Sequence, residues 1–175
     1  YLRPFLITAS LYNTAFELLK TSINKRIEDL FMVGAKCRNR DTQKEYDEEM
    51  RSYREKHKDK KDKKTYASLE WLIDVDAISN ADIEKYDEIR IFRNQIAHEL
   101  LNLMSINTAE NVEKMNQHFI TMLDLLRKIE TYWGLNVDVL CDPFFDDKEI
   151  SAENVLPGPI IAMQMLMTEA KKKKK

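Results

Sequence analysis

Glycine and proline, the residues that most often interrupt helices, are scarce in this chain. Only three glycines and four prolines occur in 175 residues, although 43% of the residues are hydrophobic. A sheet with many tight turns needs more of both residues, so their scarcity favours long helices. A chain of this length is typical of one domain with its own core.

Cysteine is equally rare, and neither sign of charge predominates. Cys37 and Cys141 lack a CxxC or other ligand spacing, which argues against a zinc site or a disulfide framework and favours a reducing compartment. The formal net charge is −2, so no global basic field marks a nucleic-acid binder. No stretch approaches the ~20 apolar residues of a membrane span. We therefore expect a cytoplasmic protein with no membrane partner.

Apolar residues recur at helical spacing in two long stretches. The first covers residues 5–31 and should end at Gly34. Its stripe consists of Tyr12, Phe16, Leu19, Ile23, Ile27 and Leu30. The second begins after Asn107 or Thr108 and should end at Gly134. Both patterns predict amphipathic helices that pack on a common core.

The sequence between these helices is more varied. Residues 38–64 predict a charged, partly flexible helical insertion, and residues 65–78 predict a short core helix. Ser79 and Asp82 have the spacing of a capping box, which starts a helix expected to run to about Met104.

These elements predict an all-α fold, an antiparallel bundle of four to six helices over residues 1–134. Residues 135–175 should form an acidic loop, a short Met-rich helix over residues 160–168 and a lysine tail. The alternating Met163, Met165 and Met167 are consistent with core packing or with an adaptable docking surface.

The stretch with the clearest chemical content is the octet, residues 93–100, which reads Arg-Asn-Gln-Ile-Ala-His-Glu-Leu. It combines a permanent cation, Arg93, with His98, which titrates near neutral pH. At about 100° per residue, Asn94 and His98 lie side by side and nearly opposite the apolar stripe of the same helix. That stripe comprises Ile89, Phe92, Ile96, Leu100 and Leu103.

Arg93 lies about 140° from His98 on the same wheel, so the two do not converge on an ideal helix. The two side chains can meet only if the long arginine reaches around the helix, if the helix starts or bends near Asn94, or if a second copy of the chain lies across a two-fold axis. Two copies would gather two histidines and two arginines, which suffices for RNA cleavage without metal. A solvated arginine and a surface histidine are the alternative.

The octet resembles the R-x4-6-H signature of HEPN domains (higher eukaryotes and prokaryotes nucleotide-binding), in which asparagine often follows the arginine. HEPN domains are helical bundles with the motif on a late long helix, and the resemblance extends over roughly residues 5–133. It implies a metal-independent endoribonuclease that acts as a homodimer on RNA in toxin–antitoxin or other defence systems. Arg93 and His98 would be the catalytic pair, with Asn94 in support and an antitoxin or regulatory protein as a possible partner.

Two further comparisons qualify this resemblance. HEPN proteins paired with nucleotidyltransferase antitoxins usually carry a tyrosine where Leu100 stands here, so regulation by nucleotide modification is not expected. Residues 5–9 and 78–98 also resemble the mannitol-operon-repressor-like helical family, which is linked to regulation. A non-catalytic binding module or regulator is therefore the alternative function.

A basic run offers candidate contacts to RNA phosphates. Its candidates are Arg51, Arg54, Lys58, Lys60 and Lys61. Because Glu55, Asp59 and Asp62 interrupt this run, a merely solvated face is the alternative. His57 should have no special role, and His118 should lie at the boundary of the core.

Signatures of metal or cofactor binding are missing from the sequence. The acidic residues between Asp138 and Glu149 lack the ligand spacing of a calcium loop. There is no phosphate-cradling glycine loop, nucleophile elbow or zinc motif. We therefore expect neither a metal nor a cofactor.

Overall fold

The structure, a computed structural model, describes residues 2–36, 42–106, 108–138 and 157–172. Every regular element in these ranges is helical, which confirms the all-α class. A π-helical segment, Gly134–Asp138, directly follows α7. The α-helices are α1 (Leu2–Lys36), α2 (Thr42–Glu49), α3 (Arg51–Lys56), α4 (Lys63–Asp74), α5 (Asn80–His98), α6 (Leu100–Ser105), α7 (Thr108–Trp133) and α8 (Gly158–Lys172). Of the eight α-helices in these ranges, seven lie within residues 1–134, where four to six were predicted, because two predicted helices are divided, at Met50 and at Glu99.

Helix α1 follows the predicted apolar stripe over its 35 residues. Five of the six stripe residues are buried, and Leu30 packs against them at the edge of the core. The helix ends at Lys36 and passes through Gly34, so the predicted stop is wrong. A single glycine inside a helix costs only about 1 kcal/mol, which packing along the rest of α1 can offset.

Helix α5 runs antiparallel to α7. Near the start of α5, Asp82 binds Lys128. Ten residues later the ring of Phe92 contacts His118, with the centroids 5.3 Å apart. The residue number therefore rises along α5 as it falls along α7, which brings the C-terminal end of α5 close to the beginning of α7.

Helix α1 runs parallel to α7, so the three long helices alternate in direction. The hydroxyl of Tyr12 lies 2.8 Å from Nδ1 of His118. Further along both helices, Arg26 Nη2 donates to Oε2 of the fully buried Glu130 at 2.8 Å. Arg26 also binds Asp138, which ties the π-helical segment to α1. Because these contacts lie at both ends of the helix pair, the relative position of α1 and α7 is well defined.

The charged segment consists of two short helices and a turn. Tyr46 and Met50 are buried, and the ring of Tyr46 lies 5.8 Å from that of Phe31. The chain then turns over residues 57–62, and α4 starts at Lys63, so the insertion ends at residue 62, two residues before its proposed end at residue 64. Residues 38–41 lie outside the described ranges.

The C-terminal helix α8 is longer than predicted, and it packs against both α1 and α7. Ile160 and Met163 are buried, Met167 packs at the edge of the core, and Met165 is 65% exposed. One face of the Met-rich helix is therefore core. The predicted acidic loop lies mostly outside the described residues.

Candidate functional site

The N-terminal end of α5 is anchored by the predicted capping box. The amide and hydroxyl of Ser79 donate to Asp82 Oδ2 at 3.0 and 2.8 Å. Lys128 Nζ donates to both carboxylate oxygens of Asp82, at 2.8 and 2.7 Å. Burial acts to raise the pKa of Asp82, but the hydrogen bonds from Lys128 and Ser79 outweigh it and lower the pKa to about 2. This network docks α5 on α7 and sets the position of the octet.

The central part of α5 has the predicted apolar face. Ile89, Phe92 and Ile96 are all buried. On the other side of the helix, His98 is exposed and Asn94 is half-buried. His98 therefore faces away from the core, as predicted, whereas Asn94 is partly covered.

The octet does not lie within one continuous helix, and this corrects the prediction of a helix to Met104. Helix α5 ends at His98, and Glu99 has φ −123° and ψ 26°, outside the helical region. The chain resumes as α6, from which Leu100 and Leu103 pack at the edge of the core. Neither glycine nor proline marks the break in the sequence. As a result, His98 lies at the C-terminal end of a helix.

Arg93 points toward α1, and within the described residues no hydrogen bond joins it to His98. Its Nη2 donates to Glu17 Oε1 at 3.0 Å, and its guanidinium carbon lies 5.6 Å from the centre of the Phe16 ring. Nη1 lies 3.5 Å from Asn94 Oδ1, a distance at which a hydrogen bond is weak. The structure therefore brings Arg93 next to Asn94 but not next to His98.

Exposed apolar side chains accompany the Asn94–His98 pair. Ile91 precedes His98 by two helical turns and is 52% exposed, and Leu101, just beyond the break, is 75% exposed. Isolated exposed leucines and isoleucines are common on protein surfaces. Here they flank a polar pair, as in the mixed surfaces through which subunits associate.

His118 is half-buried, as predicted for a residue at the core boundary. Its Nδ1 lies 2.8 Å from the hydroxyl oxygen of Tyr12, and the proton of that hydroxyl is donated to the carbonyl of Ile89 at 3.0 Å. Burial lowers the pKa of His118, the ammonium of Lys114 lowers it further, and Glu88 opposes them. Because Tyr12 is 106 residues away in the chain, no local signal predicts this contact.

The cations of the basic run differ in their surroundings. Arg54 Nη1 binds Asp47 Oδ1 at 2.9 Å, and the ammonium of Lys60 lies 4.6 Å from the centre of the Tyr66 ring. Arg51, Lys58 and Lys61 are exposed. The run thus forms a solvated face, and the role of its cations in RNA binding stays a prediction.

A shallow groove of about 250 Å³ lies along α1, beside the Arg93–Glu17 ion pair. Charged side chains dominate its lining, namely Glu17, Lys20, Lys25 and Glu28 of α1 and Lys64 of α4. No local sequence pattern predicts this groove, because its residues are spread over α1 and α4 and only the packing of the two helices brings them together.

Comparison with known proteins identifies no relative, since no family model, curated protein or solved structure is significantly similar to this chain. None of the helices in the described ranges has the length and apolarity needed to cross a bilayer. The same ranges contain no group of three or more histidine, cysteine, aspartate or glutamate side chains arranged to hold a metal ion.

Proposed function

We propose that this chain is a HEPN-type domain that cleaves single-stranded RNA as a homodimer, without a metal. The observation that carries the proposal is the pair formed by the exposed His98 and the half-buried Asn94 at the end of α5, opposite the buried face of that helix. It offers a titratable group and an amide to a ligand and has no part in the core. A cytoplasmic toxin or defence effector with a cognate antitoxin is the corresponding biological role.

The chemistry needs one proton acceptor and one proton donor at the scissile phosphate. His98 takes the proton of the ribose 2′-hydroxyl, whose oxygen attacks phosphorus, and the 5′-oxygen leaves with a proton from a second histidine or from water. The products are a 2′,3′-cyclic phosphate and a 5′-hydroxyl. Arg93 stabilises the charge that develops on the phosphate oxygens, and Asn94 orients the imidazole or binds a phosphate oxygen.

A second protomer is part of the proposal because Arg93 and His98 of one chain point in different directions. A two-fold axis along α5 places His98 of each copy beside the other copy's octet. The exposed Ile91 and Leu101 supply apolar contact area on that face. Introducing a charge there should separate the copies, so Leu101→Asp should give a monomer in analytical ultracentrifugation and a loss of cleavage.

The decisive experiment measures cleavage of labelled single-stranded RNA in EDTA by the wild-type chain and by His98→Ala. The wild type should leave 2′,3′-cyclic phosphate ends, and His98→Ala should abolish cleavage with unchanged helix content by circular dichroism. Gln95→Ala, which removes an exposed neighbour on the same helix, is the matched control and should retain activity. Cleavage that survives His98→Ala, or that depends on added metal, contradicts the proposal.

The second candidate function is a non-catalytic binding module or regulator of the same fold. The Arg93–Glu17 ion pair favours it, because the guanidinium has a carboxylate partner within the chain and must exchange it before it can bind a phosphate. In this case the wild type cleaves no RNA, and His98→Ala weakens self-association or partner binding alone.

A further inference from the structure

The Arg93–Glu17 ion pair and the groove along α1 share one residue, and that residue connects them. Glu17 Oε1 accepts the hydrogen bond from Arg93 Nη2 at 3.0 Å, and the same side chain lines the groove. The guanidinium of Arg93 therefore lies at one end of the groove. The carboxylate of Glu17 occupies the place of an anion beside it.

Further cations follow along the groove. Lys20 and Lys25 come from α1, and Lys64 comes from α4. Glu17 and Lys25 are separated by about 12 Å along the helix axis, so cations at the two ends of the groove can contact different phosphates of one strand. The groove is thus long enough to hold more than one phosphate of one strand.

Each of these cations has a carboxylate partner that a ligand can replace. Lys20 binds Asp62 with Nζ 2.6 Å from Oδ2, Lys25 binds Asp29, and Lys64 binds Glu28. Glu17 is 55% exposed, as is the side chain of Lys25. Accessible ion pairs such as Arg93–Glu17 and Lys25–Asp29 contribute about 0–1 kcal/mol, so a phosphodiester can displace their carboxylates at little cost. Arginine in particular binds phosphate through two of its N–H groups at once.

We propose that the α1 groove binds the phosphodiester backbone of a single RNA strand that enters the site at Arg93, and that Glu17 occupies the phosphate position at Arg93 until RNA displaces it. This inference rests on the proposed RNase function and adds a path for the strand and a competing carboxylate within the protein. It places the strand on α1 and not on the basic run.

The test measures binding of a fluorescent single-stranded RNA by anisotropy, with His98→Ala in every chain to prevent cleavage. Glu17→Gln should tighten binding about threefold, since the carboxylate no longer competes for Arg93. The matched control is Asp124→Asn, which removes the same charge from an exposed ion pair on α7 and should have a smaller effect. When Arg93→Ala is also present, Glu17→Gln should no longer tighten binding.

The lysines are tested through the salt dependence of binding. Lys25→Gln and Lys64→Gln should each weaken binding several-fold and reduce the slope of log affinity against log salt by about 0.7. Arg127→Gln, an exposed cation of α7 outside the groove, should leave the slope nearly unchanged. All these side chains are at least half exposed, so the variants should fold, which circular dichroism verifies.

The outcomes separate this inference from the proposed function. Suppose that the wild type cleaves RNA but the groove variants bind RNA with the same affinity as the control variants, or that Glu17→Gln weakens binding. Either result overturns the groove assignment alone. If the wild type does not cleave and the His98→Ala chain does not bind RNA, the proposed function and the groove assignment both fail.

Discussion

The two ends of helix α5 differ in how far their polar groups are already satisfied. At the N-terminal end, the side chain of Asp82 is 3% exposed and accepts hydrogen bonds from Ser79 and Lys128. At the C-terminal end, His98 is exposed, and among the described residues its side chain has no hydrogen bond. A satisfied network stabilises a fold, whereas an exposed group that is held by a rigid helix remains available to a ligand.

The largest effect should come from removing the anchor. Asp82→Ala should lower the free energy of unfolding by about 3 kcal/mol, because it abolishes the capping box and leaves Lys128 without its carboxylate. Urea denaturation measures this change. Asp124→Ala, which removes an exposed carboxylate from α7, should cost about 0.5 kcal/mol or less. Similar losses in both variants would show that Asp82 is no stronger an anchor than a surface residue.

Acid should weaken the same end of the helix in a defined pH window. The pKa of Asp82 falls from 3.8 to about 2 on folding. Its contribution to the free energy of unfolding is therefore present above pH 3.8 and is lost as the pH falls through about 2. The loss amounts to about 2 kcal/mol. Comparing wild type with Asp82→Asn by denaturation across this window isolates the effect, and parallel pH profiles of the two chains would contradict it.

His118, which contacts the middle of α5, should respond to milder acid. Its pKa is lowered in the folded chain, so the unfolded chain binds the proton more readily and stability decreases as the pH falls below 6.5. His118→Gln should flatten the dependence of unfolding free energy on pH in this range. If the slope persists in the variant, the pH dependence of stability comes from other groups.

The smallest effect on stability is expected at the C-terminal end. His98→Ala should change the free energy of unfolding by less than about 0.5 kcal/mol, since the side chain is exposed. Arg93→Ala should cost about 1 kcal/mol at most, through its exposed ion pair and its contact with Phe16. A large loss in His98→Ala, measured by urea denaturation, would give this histidine a structural role and remove the contrast between the two ends.

Much of the fold was predictable from periodicity and capping. The buried faces of α1 and α5 and the Ser79–Asp82 capping box depend on spacing within one helix, which is visible in the sequence. The break at Glu99 was not predictable, because no local residue demands it. It coincides with the point at which α6 begins to pack Leu100 and Leu103 against the core.

The candidate site, too, was predictable only in part. The outward orientation of Asn94 and His98 follows from their positions on one helix. The partner of Arg93 is 76 residues away, and the α1 groove combines residues of two helices. Contacts of this kind depend on which helices are neighbours and in which register they pack, and no property of the separate helices specifies this.

The sequence by itself determined the helical class, the apolar face of each long helix and the residues that α5 presents to solvent, because helical geometry relates these to spacing alone. Tertiary structure decided that Arg93 turns toward Glu17, that Tyr12 meets His118 and that His98 ends a helix. These features arise where α1, α5 and α7 pack together, and packing is a property of the whole chain.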